Sequence, residues 1–148
     1  MHFRRIRSLQ PACLAVLSAD PFVLVEQFPV RNPGPHGLDL DQEGRRAFVA
    51  CDGGIVVSLN TSKGLELARV PIAGAPDAIW HNHRRGRLYV AIEAPGMIDV
   101  VNTETMTVEE QVPTEAGAHT TAYDSRRQRL YVFLPSCRVA VFEENEGG

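Results

Sequence analysis

The chain has 148 residues, 44% of them hydrophobic, and a formal net charge of −3 at pH 7. This length and composition indicate one soluble globular domain with a sizeable core, and the weakly acidic balance predicts no nucleic-acid partner. Three cysteines without a Cys-x-x-Cys spacing indicate neither a disulfide framework nor a zinc site.

The first 19 residues match no repeated part of the sequence. Arg4, Arg5 and Arg7 precede a short apolar run at 12–17, whereas a secretory signal has a basic start, an apolar stretch of about 7–15 residues and a small-residue cleavage site. Because Gln10-Pro11 interrupts the apolar part, residues 1–19 are expected to be an unassigned leader, either disordered or weakly signal-like. No stretch has the length of a membrane span.

The rest of the chain is organised around a short apolar run that occurs three times. The copies are 44–50 (GRRAFVA), 86–92 (GRLYVAI) and 127–133 (RQRLYVF), and their apolar cores are spaced by 41 and then 42 residues. A period near 40 residues is typical of repeat architectures. Each copy lies among other short apolar segments, separated by Gly, Asn, Asp and Pro turns, so that four strands make one unit. This pattern predicts the blade of a β-propeller.

In chain order, the repeat predicts an outer strand within 20–34, blades at 35–74 and 75–117, and an incomplete blade at 118–144. Residues 145–148 are a tail, and the charged residues from Glu143 onward are expected to fray. The predicted fold is therefore all-β, a partial β-propeller of about three four-stranded antiparallel blades.

Three blades are too few for a closed ring, since propellers typically have about four to eight. Two explanations stay open. The chain is a piece of a larger propeller, or two chains form a homodimer in which each N-terminal strand completes the last blade of the partner, giving a six-bladed ring.

The Leu-Tyr-Val-Ala and Leu-Tyr-Val-Phe runs, with Asp or Asn turns before them and Asn-Thr after the third strand, resemble the YVTN-type repeats of YncE-like β-propellers. The resemblance covers about 22–144. It implies a bacterial propeller with a binding or scaffold role, periplasmic or secreted. The segment 35–38 (PHGL) also resembles the blade start of streptogramin-lyase and gluconolactonase-like propellers, which implies, as the alternative, a fragment of a metal-dependent propeller enzyme.

His36, Asp77 and His119 occupy the same place at the start of the innermost strand of each blade. Such residues face one mouth of a propeller channel, where imidazole and carboxylate groups can contact a ligand or hold a divalent metal. The alternative is that each side chain caps its own turn.

A second group, His81-Asn82-His83, aligns with polar turns and is expected on an exposed loop, and Trp80 is expected to pack in the core or an interface. No nucleophile elbow, phosphate loop or His-Glu-x-x-His motif is present in the sequence. The sequence therefore predicts a non-catalytic binding or scaffold module of unknown ligand. A truncated product without a function of its own is the third reading.

Overall fold

The computed structural model describes residues 12–144, and these residues form thirteen β-strands and no helix. The strands are β1 (Cys13–Leu17), β2 (Leu24–Pro29), β3 (Pro35–Asp41), β4 (Arg46–Cys51), β5 (Ile55–Asn60), β6 (Glu66–Pro71), β7 (Pro76–Asn82), β8 (Arg87–Ile92), β9 (Met97–Asn102), β10 (Thr107–Pro113), β11 (Thr121–Asp124), β12 (Arg129–Leu134) and β13 (Arg138–Glu143). The prediction of an all-β fold is confirmed.

The strands form four antiparallel sheets in chain order. Blade 1 has the order β3-β4-β5-β6, blade 2 has the order β7-β8-β9-β10, and blade 3 has the order β11-β12-β13. The N-terminal hairpin consists of β1 and β2. The innermost strands β3 and β7 contact each other, as do β7 and β11, so successive sheets pack face to face as successive propeller blades do.

The middle strands of blades 1 and 2 form the core. In β4 and β8, every residue after the leading arginine is buried, which explains why these runs are continuously apolar and do not alternate. One cluster between blades 1 and 2 joins Phe48 and Val56 to Leu88 and Val101. A second, between blades 2 and 3, joins Tyr89 and Ile98 to Leu130 and Val132. Each blade thus stabilises the next through its middle strands.

The repeat also fixes the turn between the first and second strands of each blade. Arg45, Gly86 and Gln128 occupy the same position and share a left-handed backbone, with φ of 52°, 61° and 54°. In each turn the carbonyl of this residue accepts a hydrogen bond from the backbone of the residue after the third strand, namely Thr61, Thr103 and Glu144. This hydrogen bond therefore links the turn between the first two strands of each blade to the end of its third strand.

The N-terminal hairpin differs from the sequence-based expectation. Strand β1 lies within the predicted leader and pairs with β2 in the register by which β5 pairs with β6. The Val30 N–H donates to the Ala12 carbonyl at 2.8 Å, as the Ile72 N–H donates to the Gly54 carbonyl. Residues 12–30 therefore have the geometry of the third and fourth strands of a blade. Strand β2 pairs with β1 of its own chain and not with blade 3. The expectations for residues 1–11 and 145–148 lie outside the described residues.

Candidate functional site

The structure brings together two of the three residues predicted at the blade starts. His36 lies at the start of β3 and Asp77 at the start of β7, and His36 Nε2 is 3.3 Å from Asp77 Oδ1. The other ring nitrogen, Nδ1, is 3.1 Å from Asp52 Oδ1, in the turn between β4 and β5. These three side chains are partly exposed, and we call them the mouth cluster.

His119 does not join the mouth cluster through any hydrogen bond or ion pair of the described residues. Its Nδ1 is 2.6 Å from the carbonyl oxygen of Gly117, two residues earlier. Gly117 has a φ of 90°, a conformation that favours glycine and that turns the loop before β11 back on itself. The His119 side chain thus caps its own turn, which was the alternative to a position at the channel mouth.

The mouth cluster does not have the geometry of a metal site. The two ring nitrogens of His36 face different carboxylates, so Asp52 and Asp77 lie on different sides of the imidazole and do not converge on one point. Within residues 12–144, no group of three or more His, Cys, Asp or Glu side chains is arranged to hold a metal ion. The cluster instead offers exposed carboxylate oxygens, which accept hydrogen bonds and attract cations.

The expectation of an exposed loop was wrong for His81 and Asn82. Strand β7 continues through Asn82, so both side chains are buried and only His83 is exposed. The His81 ring lies 5.1 Å from the Phe48 ring of blade 1, and its backbone N–H donates to Asp39 Oδ2 at 2.6 Å. Burial lowers the pKa of His81, with a smaller opposing effect of Asp41 and Asp39.

A polar network that the sequence did not predict lies between blades 2 and 3. Asn82 Nδ2 is 2.8 Å from Tyr123 Oη and 3.1 Å from Glu144 Oε2, and Arg87 donates to Glu144 Oε1 at 2.9 Å. Burial alone would raise the pKa of Glu144, but hydrogen bonds from Tyr89, Arg87 and Tyr123 outweigh it and hold the pKa below its usual range. Glu143 lies in β13 and Glu144 is held in this network, so neither has the frayed position expected for it.

Beside this network lies a cavity of about 460 Å³ between blades 2 and 3. Its apolar wall includes Ile98 and Val112 of blade 2 with Leu130 and Phe142 of blade 3. Tyr89 and Tyr123 line it where it meets the polar network. No short motif marks these residues, and only their repeat positions, which face the neighbouring blade, could have indicated them.

No protein-family model and no curated protein matches this sequence. Among solved structures, the chain is similar to Kuenenia stuttgartiensis hydrazine synthase, with a TM-score of 0.75 and 17% identity over 82% of this chain and 36% of that one. It is also similar to the dihydro-heme d1 dehydrogenase NirN in complex with DHE, with a TM-score of 0.74 and 16% identity over 92% of this chain and 31% of that one.

The chain therefore spans about a third of the length of each of these proteins. At such identities the similarity concerns the fold, and it confirms the partial β-propeller. Activity does not follow from it, because one fold hosts many functions. The described residues include no helix with the length and apolar character needed to cross a membrane.

Proposed function

We propose that this chain is a non-catalytic binding or scaffold module of the β-propeller type, and that the mouth cluster is its ligand-contact site. The observation that supports the proposal is the meeting of His36 with Asp77 from the next blade at 3.3 Å, with Asp52 on the other ring nitrogen. Side chains from two blades and a turn meet here at the surface. Such a site takes a cationic or hydrogen-bond-donating group, since two carboxylates face solvent around one imidazole.

The alternative, a fragment of a metal-dependent enzyme, has less support. The carboxylates do not converge on a metal position. In the second histidine group, His81 is buried within β7 and His83 is exposed after the end of that strand. The membership in YncE-like propellers and the homodimer with a six-bladed ring stay predictions. A dimer by strand exchange requires β2 to leave β1, with which it pairs over most of its length.

The proposal is tested by protein-observed NMR with ¹⁵N-labelled chain and a fragment set containing amines, guanidines and neutral sugars. We expect amines and guanidines to shift the amide signals of His36, Gly37, Asp52 and Asp77. Asp77→Asn should weaken this binding about tenfold, because it removes the negative charge and keeps the side-chain shape. Shifts that cluster elsewhere, or that are unchanged in Asp77→Asn, would refute the mouth cluster as the site.

His119→Ala is the matched control for His36→Ala. Both remove an imidazole from the same repeat position, but His119 bonds to its own loop while His36 contacts two carboxylates. We expect His36→Ala to lower the affinity for the amine and guanidine fragments, and His119→Ala to change that affinity by no more than about twofold. Equal loss in both variants would restore the three-residue site predicted from the sequence.

A further inference from the structure

Asp99 carries a buried carboxyl group at a position where the repeat does not require one. It lies in β9 with no exposed surface, and strand pairing gives it the repeat position of Val57 in blade 1 and Ala140 in blade 3. Its hydrogen bonds within the described part of the chain come from the Ala73 N–H, at 2.7 Å, and the Gln111 side-chain amide, at 3.0 Å, and from no cationic group. Burying a carboxyl group is unfavourable where an apolar side chain fits, so this residue indicates a purpose other than packing.

Asp99 holds the connector between blades 1 and 2. This connector, 72–75, runs from β6 to β7, and its Ala73 N–H donates to Asp99 Oδ2. The equivalent connectors are 30–34 before blade 1 and 114–117 before blade 3. Among the described residues, no backbone N–H of these two connectors donates to a side chain. The buried carboxyl group therefore serves one connector out of three.

The connector that Asp99 holds leads directly to Asp77 of the mouth cluster. Pro76 begins β7 and Asp77 follows it. The pairing of β7 with β8 is irregular between Pro76 and Ile79, so the strand ladder does not fix the backbone at Asp77. The connector itself is tightly placed, because a β-carbon on its Gly74 would lie 2.4 Å from the Ala94 carbonyl oxygen. Asp77 thus takes its position from the connector.

The contact between Asp77 and His36 leaves little room for displacement. His36 Nε2 is 3.3 Å from Asp77 Oδ1, and a displacement of less than about 1 Å takes such a contact beyond hydrogen-bond distance. The backbones also approach closely here, because a β-carbon on Gly37 would lie 2.8 Å from the Asp77 carbonyl oxygen. The geometry of the mouth cluster therefore depends on where the connector places the start of β7.

We propose that Asp99 is a positioning residue of the mouth cluster. By accepting the Ala73 N–H it fixes the connector, and the connector places the Asp77 carboxylate against His36. This inference rests on the proposed function, since Asp99 acts on a cationic ligand only through Asp77 and does not touch it. A role in packing and a role in positioning predict different results when Asp99 is replaced by valine, the residue of blade 1 at this position.

The test compares Asp99→Val with Asp99→Asn, by NMR titration of the ¹⁵N-labelled chain with butylamine and by urea unfolding. Asp99→Val should bind butylamine at least about tenfold more weakly. Its free energy of unfolding should be unchanged or higher, because Ala73 and Gln111 are exposed and their freed donors can bond water. Asp99→Asn keeps an acceptor oxygen and should stay within about threefold of the wild-type affinity. The control Ala140→Val changes the same repeat position in blade 3 and should alter the affinity by no more than about twofold.

Wild-type affinity in Asp99→Val, or failure of this variant to fold, would assign Asp99 to the fold alone and overturn the proposal. Equal losses in Asp99→Val and Asp99→Asn would also overturn it, because they would not depend on the hydrogen bond to Ala73. A wild-type chain that does not bind butylamine would refute the proposed function, and the ring signals of His36 then decide the inference. A shift of these signals in Asp99→Val that is absent in Asp99→Asn would support the positioning role, and unchanged signals would overturn it.

Discussion

Arg46→Ala is the substitution that should most clearly weaken the interface between blades 1 and 2. Its guanidinium donates two hydrogen bonds to Asp41 Oδ2, at 2.9 and 2.7 Å, within blade 1. It also donates to the Thr103 carbonyl and to Glu104 of blade 2, both at 2.7 Å. The Arg46 side chain thus hydrogen-bonds both a carboxylate of its own blade and the turn between β9 and β10 of the next blade.

The cost of Arg46→Ala follows from burial. The Arg46 and Asp41 side chains are only 17% and 8% exposed, so the substitution leaves a carboxylate with little access to water. Removing one partner of a buried ion pair costs about 3–5 kcal/mol. Because Asp41 keeps the Gly44 N–H, we expect about 3 kcal/mol. Arg129 has the same repeat position, but its partner Glu143 is 63% exposed, and exposed pairs contribute little.

The assay is urea unfolding followed by the fluorescence of Trp80, the only tryptophan. Of the two places expected for Trp80 from the sequence, it lies at an interface and not in the core: it is 39% exposed, and its ring lies 6.4 Å from that of Tyr123 of blade 3. Arg46→Ala should lower the free energy of unfolding strongly at pH 7, and Arg129→Ala should leave it close to wild type. Burial alone would raise the pKa of Asp41, but Gly44 and Arg46 hold it below 3.8. This contribution is present above pH 3.8 and is lost below it, so the gap between wild type and Arg46→Ala should narrow there. Equal effects of the two substitutions at pH 7 would refute the assignment of Arg46 as a link between blades.

Two further predictions concern backbone strain and pH. Arg45 has a left-handed φ of 52° where blade 2 has Gly86, so Arg45→Gly should raise the free energy of unfolding by about 1 kcal/mol and Gly86→Ala should lower it by about as much, measured by the same urea titration. Burial holds the pKa of His81 below 6.5, so the native state resists protonation and stability should fall as the pH drops below 6.5, by at most about 1.4 kcal/mol per pH unit. His81→Gln should remove that part of the slope between pH 7.5 and 5.5, and an unchanged slope would contradict it.

The sequence could predict the blades because each repeats the same burial at a constant spacing. The buried middle strands recur as continuous apolar runs, and the turns recur as polar residues. Strand β1 was missed because its sequence carries only part of this signal. Asn60-Thr61 and Asn102-Thr103 stand at the ends of the third strands β5 and β9, whereas Ser18-Ala19 stands at the same place after β1. Its place in the repeat becomes visible only through its pairing with β2.

The candidate site was predictable only in part. His36 and Asp77 share a repeat position on neighbouring strands, so their proximity follows from the fold. Asp52 comes from a turn elsewhere in blade 1, and the repeat gives no indication that it faces His36. His119 has the right position, but the loop before β11 directs it to a backbone carbonyl. Repeat position predicts where a residue lies, while the local backbone decides which partner its side chain finds.

The interface between blades 2 and 3 differs from the preceding one at two acidic positions. Glu110 stands at the position of Ala68, and Glu144 at the position of Thr103. The interface between blades 1 and 2 also joins an apolar cluster to a polar link, in which Arg46 bonds Asp41 of its own blade and Thr103 and Glu104 of the next. Burying such groups is unfavourable unless they are hydrogen-bonded, and Glu144 is bonded while Glu110 remains exposed beside the cavity. Asn82 and Arg87 have the repeat positions of Asp41 and Arg46, so the network around Glu144 links blades 2 and 3 at the place where Arg46 links blades 1 and 2.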